Sequence, residues 1–277
     1  MRLSEAVKLL RDAGVSEPRV EARLIFTRIG KIPAYMTVGG DVEIVSPEVD
    51  DAVKRRCRRE PLGYVMGEVD FYNESYKVTA DTLIPRPDTE ILVEYAVANI
   101  KEGGRFADLC TGSGCVAISV LKNTSGTTAV ATDISRPALN IAKENAVRNG
   151  VEGRIEFIEA DALSNPDKSV FGGIDALLSN PPYVTNEEYV SLEKEIYFEP
   201  KAAFVGGEDG GDFYRAITAK YKDLIAPDGF IAYEIGYGQA ELLRQIANAE
   251  GMDSEIIYDL GGNPRVAVLK KKQQLLQ

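Results

Sequence analysis

Residues 106–115 read Phe-Ala-Asp-Leu-Cys-Thr-Gly-Ser-Gly-Cys, an apolar run followed by a glycine-rich turn. The apolar part predicts a short buried strand over residues 106–109. The glycines predict a tight turn into a helix, because glycine adopts backbone conformations that other residues avoid. A strand, a glycine turn and a helix in this order are typical of an open α/β sheet, which binds its ligand at the carboxyl ends of its strands.

The alternation of strands and helices continues along the rest of the chain. Further strands are predicted over residues 128–132, 155–158, 174–178, 230–233, 255–258 and 266–269, and helices over residues 136–149, 214–224 and 239–249. Another helix is expected to start at Asp88, with this residue as its N-terminal cap. Strands separated by helical patterns predict a doubly wound, mostly parallel sheet.

The residues before this sheet predict a second, smaller unit. Three short helices are expected to start at Ser4, Ser16 and Ser46, and three helices can form a small bundle. Between residues 60 and 78, glycines and the Asn73-Glu74-Ser75 cluster separate β-favouring runs, which predicts a hairpin that joins two domains. We therefore divide the chain into a helical domain (residues 1–60), a β-hairpin linker (61–79) and a sheet domain (80–277), whose tail, 270–277, is expected to be frayed.

The composition of the chain excludes several classes of function. It has 277 residues and no histidine, which removes serine–histidine and cysteine–histidine nucleophiles and histidine zinc sites. Its three cysteines are an odd number without a C-x-x-C pair, so neither a disulfide framework nor a metal site is predicted. The net charge of −11 disfavours a protein whose main task is to bind nucleic acid.

Two further features of the sequence bear on location and partners. No apolar run approaches the ~20 residues of a membrane helix, and nothing near Met1 resembles a signal peptide, so we expect a cytoplasmic protein without a membrane partner. A local basic strip, Lys-Arg-Arg-Cys-Arg-Arg at residues 54–59, is interpreted as a solvated helix face.

Three acidic residues are expected at the ends of three consecutive strands. Asp108 precedes the glycine turn, Asp133 ends the next strand and Asp161 ends the third. A carboxylate before the turn would repel a pyrophosphate but attract an ammonium or sulfonium group, and one at the second strand end can accept hydrogen bonds from both ribose hydroxyls. The set favours S-adenosylmethionine over a dinucleotide, although the Gly-x-Gly spacing also occurs in nicotinamide- and flavin-binding folds.

The sequence Asn180-Pro181-Pro182-Tyr183 follows the fourth predicted strand. The two prolines end that strand, because they cannot donate backbone hydrogen bonds. The side-chain oxygen of Asn180 and a backbone carbonyl can accept both hydrogens of a planar NH₂ group, and Tyr183 can lie against the flat face of that group. Such a site aims the nitrogen lone pair at a methyl donor by positioning alone, so it needs no histidine base.

Together with the glycine loop and the strand-end acids, this motif resembles the class I S-adenosylmethionine-dependent methyltransferases that act on conjugated NH₂ groups. The flanking motifs are similar to those of the release factor glutamine methyltransferases: E-P-L-G-Y at residues 60–64, L-I-P-R-P-D-T-E at 83–90, G-G-E-D-G at 206–210 and Y-E-I-G at 233–236. The resemblance covers nearly the whole chain. It implies a seven-stranded sheet and methyl transfer to N5 of the glutamine in the Gly-Gly-Gln loop of class-1 peptide-chain release factors, which the N-terminal helical region helps to bind.

The resemblance also implies roles for individual residues. The cofactor, S-adenosylmethionine, is expected to contact Asp108, Cys110, Thr111, Gly112, Ser113, Gly114, Asp133, Asp161, Ala162 and Asn180. The catalytic residues that hold the glutamine amide are expected to be Asn180, Pro181, Pro182 and Tyr183, without a metal. Cys110 and Ala162 depart from the family pattern, which usually has glycine at the first position and in some members a large aromatic residue at the second. Arg86 could contact the substrate backbone or pair with a carboxylate.

Other functions fit parts of the same pattern. A glutamine methyltransferase of a ribosomal protein is similar throughout but usually has Arg-Ser-Pro in the loop that holds Arg86. An adenine N6 methyltransferase uses the same Asn-Pro-Pro-Tyr motif, but it needs a basic groove, which the net charge disfavours. A nicotinamide-dependent oxidoreductase is disfavoured by Asp108, and a catalytically idle interaction module by the intact Asn180. We expect a monomer that acts on a protein substrate without direct nucleic-acid contact.

Overall fold

The N-terminal part of the computed structural model, which describes residues 1–272, is a bundle of short helices. Its helices are α1 (Leu3–Asp12), α2 (Pro18–Leu24, continued by a π-helical turn, Ile25–Ile29), α3 (Ala34–Gly39), α4 (Pro47–Cys57) and α5 (Leu62–Met66). Leu10, Ile25, Phe26 and Val53 are fully buried in the centre of this bundle. The bundle therefore has an apolar core of its own.

The helix starts in the bundle follow the sequence only in part. Ser46 caps α4 as predicted, since its side chain accepts a hydrogen bond from the backbone N–H of Val49 at 3.3 Å. The predictions for Ser4 and Ser16 are wrong: Ser4 lies inside α1 and donates to Asp41, 37 residues away, and α2 begins after Glu17 without a side-chain cap. Ser4 thus makes a long-range contact in place of a local cap.

Helix α5 lies in the segment for which a hairpin is predicted. It forms because Val65 is buried against the bundle core, with Leu62 and Met66 packed beside it. The hairpin itself is shorter than predicted and comprises β1 (Glu68–Phe71) and β2 (Glu74–Lys77). Its two turn residues, Tyr72 and Asn73, both have positive φ angles, as the favoured two-residue hairpin turns require.

The basic strip at residues 54–59 is a solvated face only in part, at Lys54 and Arg58, which are exposed. Arg56 is only 4% exposed and pairs with Glu21 and Glu195, while Arg55 pairs with Glu60. These arginines are engaged by acidic residues of the same chain.

Residues 105–271 contain a seven-stranded sheet, as expected. Its strands are β3 (Arg105–Leu109), β4 (Thr128–Asp133), β5 (Ile155–Glu159), β6 (Ile174–Ser179), β7 (Ile225–Glu234), β8 (Met252–Tyr258) and β9 (Pro264–Lys271). They are ordered β5-β4-β3-β6-β7-β9-β8, and β9 alone runs in the direction opposite to the other six strands. The chain changes direction across the sheet between β3 and β6, which is where such folds bind ligands.

Helices cover both faces of the sheet, which confirms the doubly wound α/β class. The further helices are α6 (Glu90–Asn99), α7 (Cys115–Lys122), α8 (Arg136–Arg148), α9 (Lys168–Phe171), α10 (Asn186–Tyr189), α11 (Asp212–Tyr221) and α12 (Ala240–Ala249), with 3₁₀ turns at Pro87–Thr89, Glu152–Arg154, Lys194–Phe198, Lys201–Ala203 and Lys222–Leu224. Side chains of α6, α7 and the hairpin fill one core, and those of α9, α11 and α12 fill the other. Burial on both faces explains the continuous apolar runs of the strands.

Two predictions for the sheet domain, the cap at Asp88 and the extent of the frayed tail, differ from the structure. Asp88 does not cap α6, because it lies in the preceding 3₁₀ turn and pairs with Arg265 at 3.0 Å. The tail is ordered further than predicted, since β9 reaches Lys271, while residues 273–277 lie outside the described part of the chain. Within residues 1–272 no helix is long and apolar enough to cross a bilayer.

Candidate active site

The loop after β3 has an unusual backbone. Cys110, Gly112 and Gly114 all have positive φ angles, of 60°, 55° and 82°. The Gly114 position favours glycine because of its φ angle and because a β-carbon would lie 2.9 Å from Ile118 Cδ1 and 3.1 Å from Ala142 Cβ. At Gly112 a β-carbon would meet nothing within 4 Å. The backbone at Gly112 is therefore accessible to a ligand.

Asp108 lies beneath this loop and is 1% exposed. Its Oδ2 accepts hydrogen bonds from the Thr111 hydroxyl at 2.6 Å and from the backbone N–H of Ala117 at 3.2 Å. Burial raises the pKa of Asp108 to about 7, and the negative charge of Asp133 adds to the rise. A perturbed carboxyl group in a cleft is typical of a functional site.

Asp133 connects the glycine loop to the end of β4. Its two oxygens accept hydrogen bonds from the backbone N–H groups of Gly112 and Ser135, both at 2.9 Å. Burial raises its pKa also. Each carboxylate oxygen has a second lone pair, so Asp133 still has acceptor capacity for ligand hydroxyls.

Asp161 and Ala162 follow β5, as expected. Asp161 accepts a hydrogen bond from the backbone N–H of Leu163 at 2.8 Å. The side chain of Ala162 is buried in the core that α11 and α12 cover. Any contact of Ala162 with a ligand would therefore involve its backbone.

Asn180 follows β6 at the neighbouring strand end. The tips of β6 and β3 are connected, because the Ser179 hydroxyl donates to the Leu109 carbonyl at 2.7 Å. The Asn180 amide donates through Nδ2 to the Thr89 hydroxyl at 3.3 Å. Within residues 1–272 no hydrogen-bond donor of the protein reaches Asn180 Oδ1 or the Pro181 carbonyl. Both oxygens are free acceptors.

A cavity brings together many of the residues predicted from sequence. Asp108, Cys110, Thr111, Gly112, Ser113 and Asn180 line it, together with residues of the loop before α6, including Leu83, Pro85, Arg86 and Thr89. The other predicted site residues do not line this cavity: Gly114, Asp133, Asp161, Ala162, Pro181, Pro182 and Tyr183. The glycine loop and Asn180 thus share one cleft at the switch point of the sheet.

Tyr183 is directed into the protein. Its hydroxyl donates to Oε1 of Glu234 at 3.2 Å, and its carbonyl accepts a hydrogen bond from Gln239 at 2.9 Å. The glycine-rich loop at residues 206–211 packs against the same segment. A β-carbon added at Gly206 would lie 2.3 Å from the Pro182 carbonyl oxygen, and one added at Gly210 would lie 2.2 Å from the Tyr183 carbonyl oxygen. The Gly-rich motif therefore supports the backbone of residues 182–183.

Sequence-based reasoning assigned no role to two residues beside Asn180 and Tyr183, namely Thr89 and Glu234. Glu234 ends β7 and is 3% exposed; its Oε2 has no hydrogen-bond partner within the described chain. Burial raises the pKa of Glu234 to about 7. The sequence does offer one signal for Glu234, because it is an acidic residue directly after the apolar run of a predicted strand.

Arg86 pairs with a carboxylate, which is one of the two roles predicted for it. It pairs with the buried carboxylate of Glu199, whose other oxygen accepts a hydrogen bond from the backbone N–H of Ile84 at 2.9 Å. The pair holds the loop before α6 over the cavity. Within residues 1–272 no cluster of three or more histidine, cysteine, aspartate or glutamate side chains is arranged to hold a metal ion.

The strand order, the antiparallel β9 and the cleft at the switch point together define a class I methyltransferase. The chain matches two family models, the methyltransferase small domain over residues 87–207 and the PrmC N-terminal domain over residues 2–67. The chain belongs to the family of release factor glutamine methyltransferases. It is 38% identical to the member from Thermodesulfovibrio yellowstonii over 92% of this chain and 93% of that protein.

A second relative agrees with this placement, and a solved structure shares the fold. The chain is 36% identical to the release factor glutamine methyltransferase of Rhodospirillum rubrum, over 95% of this chain and 82% of that protein. The structure of a ribosomal protein L11 methylase from Lactobacillus delbrueckii subsp. bulgaricus superposes with a TM-score of 0.51 at 20% identity, over 69% of this chain and 81% of that one. That similarity shows the fold alone.

Proposed function

We propose that this protein transfers the methyl group of S-adenosylmethionine to the side-chain amide nitrogen, N5, of the glutamine in the Gly-Gly-Gln loop of class-1 peptide-chain release factors. One observation carries the proposal: Asn180 lies at the tip of β6 beside the glycine loop, with its NH₂ group engaged and its Oδ1 free. Full-length relatives at 38% and 36% identity carry the name of this activity. The protein would meet this substrate in the cytoplasm.

The residues around the glycine loop fit S-adenosylmethionine. The open side of Gly112 accommodates a ligand against the backbone, and Asp133 offers carboxylate oxygens to the ribose hydroxyls. The backbone of residues 161–162 would contact the adenine, and the buried Asp108, when ionised, would attract the cationic end. When bound, the cofactor supplies an electrophilic methyl group on a positively charged sulfur.

The protein's task toward the substrate is to orient an amide. An amide nitrogen is a poor nucleophile, because its lone pair is conjugated with the carbonyl group. Asn180 Oδ1 and the Pro181 carbonyl oxygen would each accept one hydrogen of the target NH₂ group, which increases the electron density on the nitrogen and fixes the direction of its lone pair. Alignment of two reactants contributes up to ~7–11 kcal/mol to a reaction of this kind.

The reaction needs no strong base. The target nitrogen gains a methyl group and loses one proton, which passes to water or a nearby acceptor once the methylated nitrogen has become acidic. This agrees with a chain that contains no histidine. The products are S-adenosylhomocysteine and N5-methylglutamine.

The charge distribution supports a protein substrate over a nucleobase. The basic strip at residues 54–59 offers no nucleic-acid surface at Arg56 or Arg59, because both pair with Glu195. The net charge of −11 would repel a phosphate backbone.

A radiolabel transfer assay tests the proposed function. The protein is incubated with methyl-labelled S-adenosylmethionine and a purified class-1 release factor, and label is expected in the peptide with the Gly-Gly-Gln loop. A release factor in which asparagine replaces this glutamine is the matched control and should remain unlabelled. Equal label in the control, or label in added nucleic acid instead of the release factor, would contradict the proposal.

A further inference from the structure

A buried carboxyl group, that of Glu234, is bonded to Tyr183 and lies behind the partner of Asn180, Thr89. Glu234 Oε1 accepts from the Tyr183 hydroxyl at 3.2 Å, while Oε2 is buried and has no partner within residues 1–272. The backbone of Glu234 is held as well, since its carbonyl accepts from the buried Tyr214 hydroxyl at 2.9 Å. A buried carboxylate oxygen without a hydrogen bond lowers the stability of the fold, so a role for Glu234 is expected.

Thr89 lies between this carboxyl group and Asn180. Its hydroxyl is buried and accepts from Asn180 Nδ2 at 3.3 Å. It also lies beside Glu234, whose pKa it lowers. A threonine hydroxyl that accepts a hydrogen bond still has its own hydrogen to donate, and the carboxyl group of Glu234, whose Oε2 has no partner within residues 1–272, can accept it.

The direction of the Thr89 hydrogen decides which end of the Asn180 amide is held. Beside an ionised carboxylate, which only accepts, the hydroxyl donates to Glu234 and offers only its lone pairs to Asn180. Those lone pairs bind Nδ2 and leave Oδ1 for the substrate. A protonated Glu234 could instead donate to Thr89, which frees the Thr89 hydrogen to bind Oδ1 and lets the amide turn over.

We propose that Thr89 and Glu234 are positioning residues that fix the orientation of the Asn180 amide, an inference that rests on the proposed function. Neither residue needs to touch the reacting atoms. Glu234 simultaneously holds the hydroxyl of Tyr183, so one carboxylate sets two side chains of the Asn180–Tyr183 motif.

The charged surroundings of Glu234 fit this role. Asp88 raises its pKa and Arg265 lowers it; Tyr183 bonds to its carboxyl group, and Tyr214 and Cys115 lie near enough for its charge to raise their pKa values. Burial raises the pKa of Glu234 to about 7, so the carboxyl group changes its protonation state near neutral pH. The fraction of correctly oriented Asn180 should therefore fall as the pH falls through this value.

Kinetics of Thr89 variants test the role of the hydroxyl. Thr89→Val keeps the shape and removes the hydroxyl, and it should lower kcat about tenfold, which corresponds to about 1.4 kcal/mol, with the KM for S-adenosylmethionine nearly unchanged. Thr89→Ser retains the hydroxyl and should stay within about threefold of the parent kcat. Thr127→Val, another buried threonine at the opposite edge of the sheet, is the matched control and should leave kcat unchanged. Wild-type kcat in Thr89→Val, or equal losses in the valine and serine variants, would overturn the inference.

A second measurement does not depend on the substrate. In protein labelled with ¹⁵N-asparagine, the Asn180 NH₂ resonances are identified by their loss in Asn180→Ala. They should titrate with a midpoint near 7, and this midpoint should vanish in Glu234→Gln and in Thr89→Val. Asp108 also titrates near 7, so Asp108→Asn is the control and should keep the midpoint.

The two measurements separate this inference from the proposed function. If the wild-type protein leaves release factors unlabelled but Asn180 titrates as described, the proposed function fails and the positioning network stands. If Asn180 shows no midpoint, or keeps it in Glu234→Gln, the network is refuted whatever the substrate.

Discussion

The guanidinium group of Arg59 donates to both carboxylate oxygens of Glu195, from Nε at 2.6 Å and from Nη2 at 2.7 Å. Arg59 follows α4 of the helical bundle, and Glu195 lies in the segment between β6 and α11. Glu195 also accepts from the buried Arg56 at 2.9 Å, and Arg56 pairs in turn with Glu21. An ion cluster therefore joins the bundle to the loop that follows the Asn180–Tyr183 motif.

Removing the charge of Glu195 should loosen this connection. In Glu195→Gln we expect a loss of about 1–3 kcal/mol in the free energy of unfolding, because hydrogen bonds to two arginines are weakened. The KM for the release factor should rise more than kcat falls, since the bundle loses its set position relative to the cleft. Thermal melting and steady-state kinetics measure both effects. Glu187→Gln, an exposed position on α10, is the control, and the same loss in that variant would contradict the explanation.

Asn180→Ala should abolish turnover and leave most cofactor binding intact. The substrate amide would lose its side-chain acceptor, and the loss of one preorganised polar group of this kind costs about 10²–10³ in kcat. Initial rates with a release factor and calorimetric titration with S-adenosylhomocysteine separate the two effects. Asn186→Ala, at an exposed position on α10, is the matched control. An Asn180→Ala variant with near-wild-type kcat would disprove the assigned role.

The affinity for S-adenosylmethionine should increase with pH up to slightly above 7. The Asp108 pKa is about 7 because of burial, so this group is largely neutral below that value and attracts a cationic ligand only when ionised. Titrations from about pH 5.5 to about pH 8.5 should show this dependence in the wild-type protein. Asp108→Asn should bind more weakly at the upper end and lose the step near 7. If the step persists in that variant, another group is responsible.

The same burial should cost stability at neutral pH. The folded-state pKa of Asp108 lies above the ordinary value of 3.8, so ionisation opposes folding progressively as the pH rises from about 4 to 7. Asp108→Asn should therefore have a higher melting temperature than wild type at about pH 8 and a similar one at about pH 4. Each 1 kcal/mol gained in the free energy of unfolding should raise the melting temperature by roughly 2–4 °C. If Asp108→Asn and wild type had the same melting temperature at both pH values, the carboxyl group would be better solvated than its position suggests.

Gly206 should not tolerate a methyl group. In Gly206→Ala the new β-carbon would lie 2.3 Å from the Pro182 carbonyl oxygen, so the backbone before Tyr183 must move. We expect a loss of about 1–3 kcal/mol in stability and at least about a tenfold fall in kcat. Gly153→Ala is the control, because its β-carbon would meet nothing within 4 Å and no strained φ angle is involved. Unchanged kcat in Gly206→Ala would mean that the loop can yield without disturbing the motif.

The strands of the sheet and the cleft could be predicted because their signals are local. A buried parallel strand is a short apolar run, and a glycine turn and a strand-end acid follow it within a few residues, as at Asp108. Parallel strands bring their carboxyl ends to one edge, so Asp108, Asp133 and Asn180 had to lie near one another once the sheet was inferred. The sequence thus determined the fold class and the central cleft.

The details that tune the cleft depend on contacts between distant segments. Thr89 and Asn180 are 91 positions apart, and Arg59 and Glu195 are 136 apart. The burial of Glu234, the helix at α5 and the failed cap at Ser4 likewise depend on neighbours that no local pattern specifies. Pairing and desolvation act through space, so only the tertiary structure decided which polar groups are partnered and which carboxylates keep their protons near pH 7.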